Sequence, residues 1–346
     1  MIKIGNREIG DGKPVFVIAE LSANHNQNFD TAVKTVYAAK EAGADAIKLQ
    51  TYTADTITLD CDNDYFQIKQ GTIWDGTTLH KLYQQAYTPW EWQPKLKEIA
   101  ESIGLICFSS PFDKTAVDFL EGMNVPAYKV ASFEITDLPL IKYIASKNKP
   151  VIISTGIAYE KEIKLAVDTC RNAGNDQIIL LKCTSEYPAP FEEMNLNTIP
   201  LMKERFGTLT GLSDHSMGIS VPIAAVALGA RVIEKHLIID RSIGGPDSSF
   251  SLEPAEFKQM VDSIREVEKA LGTGTFDVSE KAARSRNFSR SLFAVKDIKE
   301  GEIFTEENVR SIRPGYGLPP QYLERLLGKK SKRSIKRGEP LKDIDL

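Results

Sequence analysis

The stretch Ala46-Ile47-Lys48-Leu49-Gln50-Thr51 decides how this chain folds. Alternation in an extended run of this kind puts Ile47 and Leu49 on one face and Lys48 with Gln50 on the other. Seven comparable runs recur along the chain, and nearly all end in polar or ionisable residues. VFVIAE closes on Glu20, LICFSS on Ser109 and Ser110, AYKVAS carries Lys129 and Ser132, and VIIST carries Ser154 and Thr155. IILLKCTS, TLTGLSDHS and RVIEKHL add Lys182 to Ser185, Ser213 to His215, and Glu234 with His236. Eight such runs separated by helical stretches predict an α/β fold, a (β/α)8 TIM barrel whose strands present a reaction site at their carboxyl ends.

Helices cover the outside of such a barrel, so the polar face of each run points inward. Lys48 and Lys129 are then interior lysines, and Glu234 and His236 face in together. A lysine sequestered there without a counter-charge loses its proton or costs several kcal/mol. One reading is a bound anion, a phosphate, with the hydroxyls of Ser110, Ser132, Ser154 and Ser213 as further donors. The other is a buried network in which Glu20, Glu134 or Glu234 neutralises the lysines.

The chain has four histidines, His25, His80, His215 and His236. His215 and His236 end adjacent strands, the seventh and eighth, where two imidazoles can meet one divalent cation. Two nitrogens with oxygen or water completing the shell suit Mn2+, Mg2+ or Co2+ better than a closed zinc site. His25 reads as a substrate or loop residue and His80 as a surface one.

A length of 346 residues exceeds one barrel of roughly 250, so a second module is expected. Residues 1–14 read as a hairpin capping the barrel floor, and the barrel runs to 272. Asp30 is placed to cap a first helix, TAVKTVYAAKEAG, that Gly43 stops. EPAEFKQMVDSIREVEKALG is the last barrel helix. The long stretch Tyr52 to Tyr87, with Tyr65 and Trp74, reads as an upper-face insertion of the kind that covers substrate. Residues 273–289 are polar and read as a linker, and a small domain follows over 290–346. That domain holds 13 Lys and Arg against 9 Asp and Glu, while residues 1–289 hold 30 against 38. The basic run Lys329 to Arg337 reads first as a solvated face and otherwise as a surface that docks electrostatically on a barrel.

A net charge of −4 gives no drive toward nucleic acid or anionic membrane, and no segment has the ~20 apolar residues of a membrane span. Cys61, Cys107, Cys170 and Cys183 lack CxxC spacing and read as reduced structural thiols. A cytoplasmic enzyme is the expectation.

Taken in order, AELSANHNQ, DAIKLQTY, SSPFD, AYKVAS, IISTG, LKCTSEYP, GLSDHS, EKHL and GGPD resemble the sialic acid synthase family, bacterial condensing enzymes that use phosphoenolpyruvate. RSLFAVKDIKEGE with IRPGYGLPP resembles the family's carboxy-terminal antifreeze-like (SAF, β-clip) domain, so the resemblance runs essentially end to end. AELSANH, IWDGTTLHKLY and LKCTSEYP are more similar to the pseudaminic acid synthase branch than to the N-acetylneuraminate synthases.

The resemblance implies condensation of phosphoenolpyruvate with an open-chain deoxy-diacetamido hexose, 2,4-diacetamido-2,4,6-trideoxy-L-altrose, to a nine-carbon 2-keto acid; the alternative is an N-acetylneuraminate or legionaminate synthase using a mannosamine-type sugar. It implies a divalent metal, Mn2+ ahead of Mg2+ or Co2+, on His215 and His236. Lys48, Ser110, Lys129, Ser132, Ser154 and Ser213 are implied around phosphoenolpyruvate, with Glu20 at the catalytic centre and Gln50 and Ser185 among the substrate-binding residues. Asp247 and Tyr187 fall where the sugar is contacted. Arg313 matches an arginine reaching into the partner's barrel, which implies a domain-swapped homodimer. Two departures stand out: CTSEYP, with Ser185, replaces the CTNxYP of the neuraminate synthases, and ELSANHNQN replaces the more usual EIGxNHxG. Both bear on the sugar rather than on the condensation chemistry. A Schiff-base aldolase and a non-catalytic carbohydrate-binding barrel are the competing classes; the polar set Glu20, Lys48, Lys129, His215 and His236 is costly to keep in an inactive barrel.

Overall fold

The structure, a computed structural model that describes residues 1–345, divides into two compact units, Met1–Gly272 and a second beginning at Thr273. The first opens with an antiparallel hairpin of β1 (Ile2–Ile4) and β2 (Arg7–Ile9). Eight parallel strands follow: β3 (Phe16–Glu20), β4 (Ala46–Thr51), β5 (Ile106–Pro111), β6 (Tyr128–Val130), β7 (Val151–Ser154), β8 (Ile178–Cys183), β9 (Leu209–Asp214) and β10 (Val232–His236). They close into a barrel in chain order, β10 pairing with β3. All eight runs read as strands are strands.

Strand register settles which side chains share the interior. Glu20 stands beside Lys48 and Lys48 beside Phe108, while Gln50 pairs with Ser110 and Cys183 with Ser213. Below this polar layer Phe16, Ile18, Phe108, Ile152, Leu181 and Val232 fill the barrel, in one buried cluster with Ile4 and Ile9 of the hairpin. That plug blocks the amino-terminal end, so the polar layer opens only upward. At Gly211 the walls meet so closely that a Cβ would lie 2.2 Å from the Val232 carbonyl oxygen. The outer strand faces bury Val17, Ala19, Ile47, Leu49 and Ile233 against helical Val36, Leu96, Phe257 and Met260. Each of these side chains larger than alanine contributes about 1.5–3 kcal/mol.

The first barrel helix spans Phe29–Glu41, and its cap differs from expectation. Asn28, not Asp30, accepts the Thr31 amide, and Asp30 lies in the first turn where its charge complements the helix dipole. Gly43 ends the helix at φ +87°. The last barrel helix is Pro254–Leu271. The insertion after β4 folds into short helices, Ala54–Ile57 and Leu79–Ala86, around an irregular segment. His80 there is buried, not a surface residue: its Nε2 lies 2.9 Å from Asp55 Oδ1, tying the two helices together.

In the second unit, residues 273–289 are exposed throughout and hold a short helix, Glu280–Ser285. β11 (Ser291–Ala294) and β12 (Val309–Ile312) pair antiparallel over a separate core that includes Leu292, Ile298, Phe304, Leu326 and Leu341. The basic run is largely a solvated face, with every Lys and Arg exposed except half-buried Arg333. Arg333 donates to buried Asp345 at 2.9 and 3.1 Å, and Lys336 to Asp297 at 3.0 Å. Among the described residues no helix is long and apolar enough to cross a membrane.

Candidate active site

A cavity of about 640 Å³ opens at the carboxyl ends of the strands, and its floor is the polar layer. Glu20, at the end of β3, is fully enclosed and ion-paired with Lys48 of β4. Lys48 Nζ also donates to Ser110 Oγ at 3.1 Å and lies 3.8 Å from Glu234. Across the barrel, Lys129 Nζ donates to the Val130 carbonyl at 2.9 Å and to Ser154 Oγ at 2.7 Å, with Glu234 at 4.0 Å. Ser213 donates to Glu234 Oε1 at 2.9 Å.

The carboxylate network expected around the interior lysines is present. Glu20 and Glu234 do neutralise them, yet the contacts between Glu234 and the lysines are long. Two of the three Lys129 protons are spent on neighbours, leaving the third available to a ligand. Ser110 and Ser154 accept from lysines, so their own hydroxyl protons can donate outward. Ser213, also on the cavity lining, spends its proton on Glu234.

Burial pushes Glu20 up to about 7, with Lys48 opposing and Glu234 assisting. Burial pulls Lys48 down, but Glu20 and Glu234 outweigh it and hold the ammonium above its ordinary value. Burial lowers Lys129, against the nearby Glu234. Glu134, on the cavity wall, is pushed up to about 7 by burial and its Oε2 has no hydrogen-bond partner. These are the shifted groups that acid–base chemistry uses.

His215 and His236 face each other with ring centroids 5.3 Å apart. His215 Nδ1 lies 2.9 Å from the Thr184 carbonyl oxygen, which assigns the proton there and leaves Nε2 a lone pair. His236 Nδ1 is buried with no hydrogen-bond partner, 3.8 Å from Asp247 Oδ2. Burial, reinforced by His215 and Lys48, holds His236 well below its ordinary value, so it is neutral. Two imidazoles with an orphaned buried nitrogen fit an open divalent-cation site. Among the described residues no group of three or more His, Cys, Asp or Glu is arranged to hold a metal.

The other expected residues gather above this floor. Ser185 Oγ donates to Ser132 Oγ at 2.8 Å, and both crowd Gly156, where a Cβ would lie 2.3 Å from Ser185 Oγ. Gln50 Nε2 donates to Glu20 at 3.2 Å and to Ser22 Oγ at 2.9 Å. Asp247 accepts from Ser22 Oγ at 2.5 Å. Tyr187 packs 4.4 Å from the His215 ring and 5.3 Å from Trp74. Arg313 belongs to the second unit, where its side chain is exposed.

Further residues join the site. Cys183, read as a structural thiol, faces the cavity with Sγ 3.9 Å from His215 Nδ1. All four cysteines are free. Burial acts against both charged forms, but the contact outweighs it, lowering the thiol and raising the imidazole. Trp74 carries the insertion over the mouth, donating from Nε1 to the Pro246 carbonyl at 3.0 Å. Ile57, Ile68, Leu79, Leu82 and Tyr83 of the same insertion form an apolar upper wall. Ser22 adopts φ +45° and Gln27 φ +52°, the two positions where the more usual motif has glycine. His25 is a loop residue after β3, buried beside the site, 3.2 Å from Thr88 Oγ1 and edge-on to Trp92.

A polar, two-lysine, two-histidine floor at the carboxyl end of a parallel barrel defines a barrel enzyme of anionic-substrate chemistry. The chain matches the NeuB family over residues 35–276 and the SAF domain over residues 289–346, and it belongs to the NeuB family. It is 51% identical over 344 residues to the pseudaminic acid synthase of Campylobacter jejuni strain 81-176, covering 99% of each chain. It is 45% identical to the pseudaminic acid synthase of Helicobacter pylori, over 96% of this chain and 98% of that one. Among solved structures, the Bacillus subtilis spore coat polysaccharide biosynthesis protein SpsE superposes with a TM-score of 0.69 at 37% identity, over 99% and 98% of the two chains. The resemblance carried by the nine motifs is thereby borne out.

Proposed function

We propose that the chain condenses phosphoenolpyruvate with open-chain 2,4-diacetamido-2,4,6-trideoxy-L-altrose, giving pseudaminic acid and phosphate. The observation that carries this reading is the floor itself: Lys48 and Lys129, each backed by a serine hydroxyl, beside a buried carboxyl held near neutrality and a pair of imidazoles. An anion of three negative charges meets two ammonium groups and the outward hydroxyl protons of Ser110 and Ser154. Lys129 turns its remaining proton from Glu234, 4.0 Å away, to the ligand.

Carbon 3 of phosphoenolpyruvate attacks the aldehyde carbon, whose oxygen becomes an alkoxide and then, on taking a proton, a hydroxyl. Positive charge at carbon 2 is met by water, which Glu20 orients and deprotonates. The adduct expels phosphate by carbon–oxygen cleavage as the new hydroxyl becomes the ketone. The two water protons end on the sugar hydroxyl and on phosphate, so the step balances. A divalent cation on His215 and His236, Mn2+ ahead of Mg2+ or Co2+, supplies Lewis-acid polarisation of the aldehyde carbonyl.

The upper wall supports the sugar assignment. The reacting aldehyde carbon lies at the floor, so the far end of the chain and its substituents rise toward Ile57, Ile68, Leu79 and Leu82. Unpaired hydroxyls there lose hydrogen bonds to water, whereas a deoxy methyl and acetamido methyls do not. Asp247 and Tyr187 lie at the level where the sugar's polar groups pass. Arg313 completes the sugar site from a partner in a domain-swapped homodimer, and the barrel, residues 1–272, and the SAF domain, residues 290–346, function as separate modules joined through 273–289. The enzyme works in the cytoplasm.

Oxygen-18 in the bridging position of phosphoenolpyruvate tests the reaction class. The label is expected in phosphate; label retained in the keto acid overturns the carbon–oxygen cleavage and the role of Glu20 with it.

A further inference from the structure

Ser22 is held in a conformation that its own side chain disfavours. Its φ is +45°, a left-handed backbone in which a Cβ crowds the following peptide and which glycine enters freely. The residue is 4% exposed, so no solvation of the hydroxyl compensates. Strain of this kind persists where surroundings over-determine it, and around Ser22 they do. The turned backbone aims the Ser22 amide at Glu20 Oε1, 3.0 Å away. The same turn sends the hydroxyl between two cavity residues: it accepts from Gln50 Nε2 at 2.9 Å and donates to Asp247 Oδ2 at 2.5 Å.

The chain Gln50 to Ser22 to Asp247 links β4, the turn after β3 and the loop after β10 around the mouth. A hydroxyl with one proton can satisfy this relay in one direction only, since the carboxylate must accept and the amide must donate. The relay thus fixes which way Gln50 faces and which oxygen of Asp247 stays turned into the cavity. Glycine at this position is free of strain but leaves Asp247 with only the Ala23 amide at 3.4 Å as a hydrogen-bond donor.

We propose that Ser22 is a positioning residue for the acceptor sugar, its hydroxyl orienting Asp247 and Gln50 for the sugar's polar groups. This deepens the reading of the site above and rests on it. A purely structural serine and a positioning serine make opposite predictions for one substitution. Ser22→Gly relieves the backbone, so the melting temperature is expected to stay the same or rise, while the Michaelis constant for the sugar rises about ten-fold or more, as expected for loss of a hydrogen bond to a charged group. The constant for phosphoenolpyruvate should move less than two-fold. Ser22→Ala keeps the strain and loses the hydroxyl; it should show the same kinetic loss with a lower melting temperature than Ser22→Gly.

Wild-type kinetics in Ser22→Gly overturn the proposal, as do equal rises in both Michaelis constants. Wild-type enzyme assayed in parallel with N-acetylmannosamine separates the two levels of argument. If that sugar alone is turned over, the pseudaminate reading fails, and the Ser22 series measured on it must still show the sugar-selective loss.

Discussion

Glu20 and Lys48 stand side by side in the register of β3 and β4 and close an ion pair wholly inside the barrel. Burial nevertheless pushes the carboxyl up to about 7, so it can hold or release a proton near neutrality. Glu20→Gln keeps the shape and the hydrogen bonds from Ser22 and Gln50 while removing the base. Turnover is expected to fall roughly 10²- to 10⁴-fold, with phosphoenolpyruvate affinity within a few-fold of wild type in a direct titration. Retained turnover removes Glu20 from the proton chemistry.

The apolar wall makes a prediction about selectivity. Leu82→Asn, at a half-buried position of the insertion, should cut kcat/KM for the trideoxy sugar about ten-fold and narrow its advantage over an analogue bearing a 6-hydroxyl. Unchanged discrimination between the two sugars would place the terminal methyl elsewhere.

Arg313 is exposed on the second unit, beside Pro314. Arg313→Ala should raise the Michaelis constant for the sugar much more than that for phosphoenolpyruvate. Equal rises, together with dissociation in sedimentation velocity, would assign the arginine to assembly alone.

His25 contributes to the acid limb of stability. Burial pulls its imidazole down to about 4, against about 6.5 in an unfolded chain. Between those values the unfolded chain takes up a proton that the folded chain refuses. Its contribution is therefore complete above pH 6.5 and is lost as the pH falls toward 4, by about 3 kcal/mol in all. Urea unfolding at a series of pH values should show this slope in the wild type and a flatter one in His25→Gln; parallel slopes would contradict it.

Much of this was legible because a strand has a period of two and a parallel barrel has one polar end. Lys48, Lys129, Glu234 and His236 follow from alternation alone. Cys183 was available to the same argument, since Ser213 beside it in the register points inward, but its apolar character drew the structural reading. His80 was not legible as a buried residue, because its partner Asp55 lies on a separate short helix outside the strand pattern, and Trp74 was legible as part of the covering insertion but not in its bond to Pro246. Ser22 was legible only as a departure, a serine where the more usual motif has glycine; that it keeps the left-handed backbone and bridges Gln50 to Asp247 was not.

The most direct measurement of the account is phosphate release from phosphoenolpyruvate with Mn2+, comparing 2,4-diacetamido-2,4,6-trideoxy-L-altrose with N-acetylmannosamine, each with and without chelator. Release with the trideoxy sugar, abolished by chelator and restored by Mn2+, is the predicted result. Release with N-acetylmannosamine alone, or release that survives complete chelation, would contradict it.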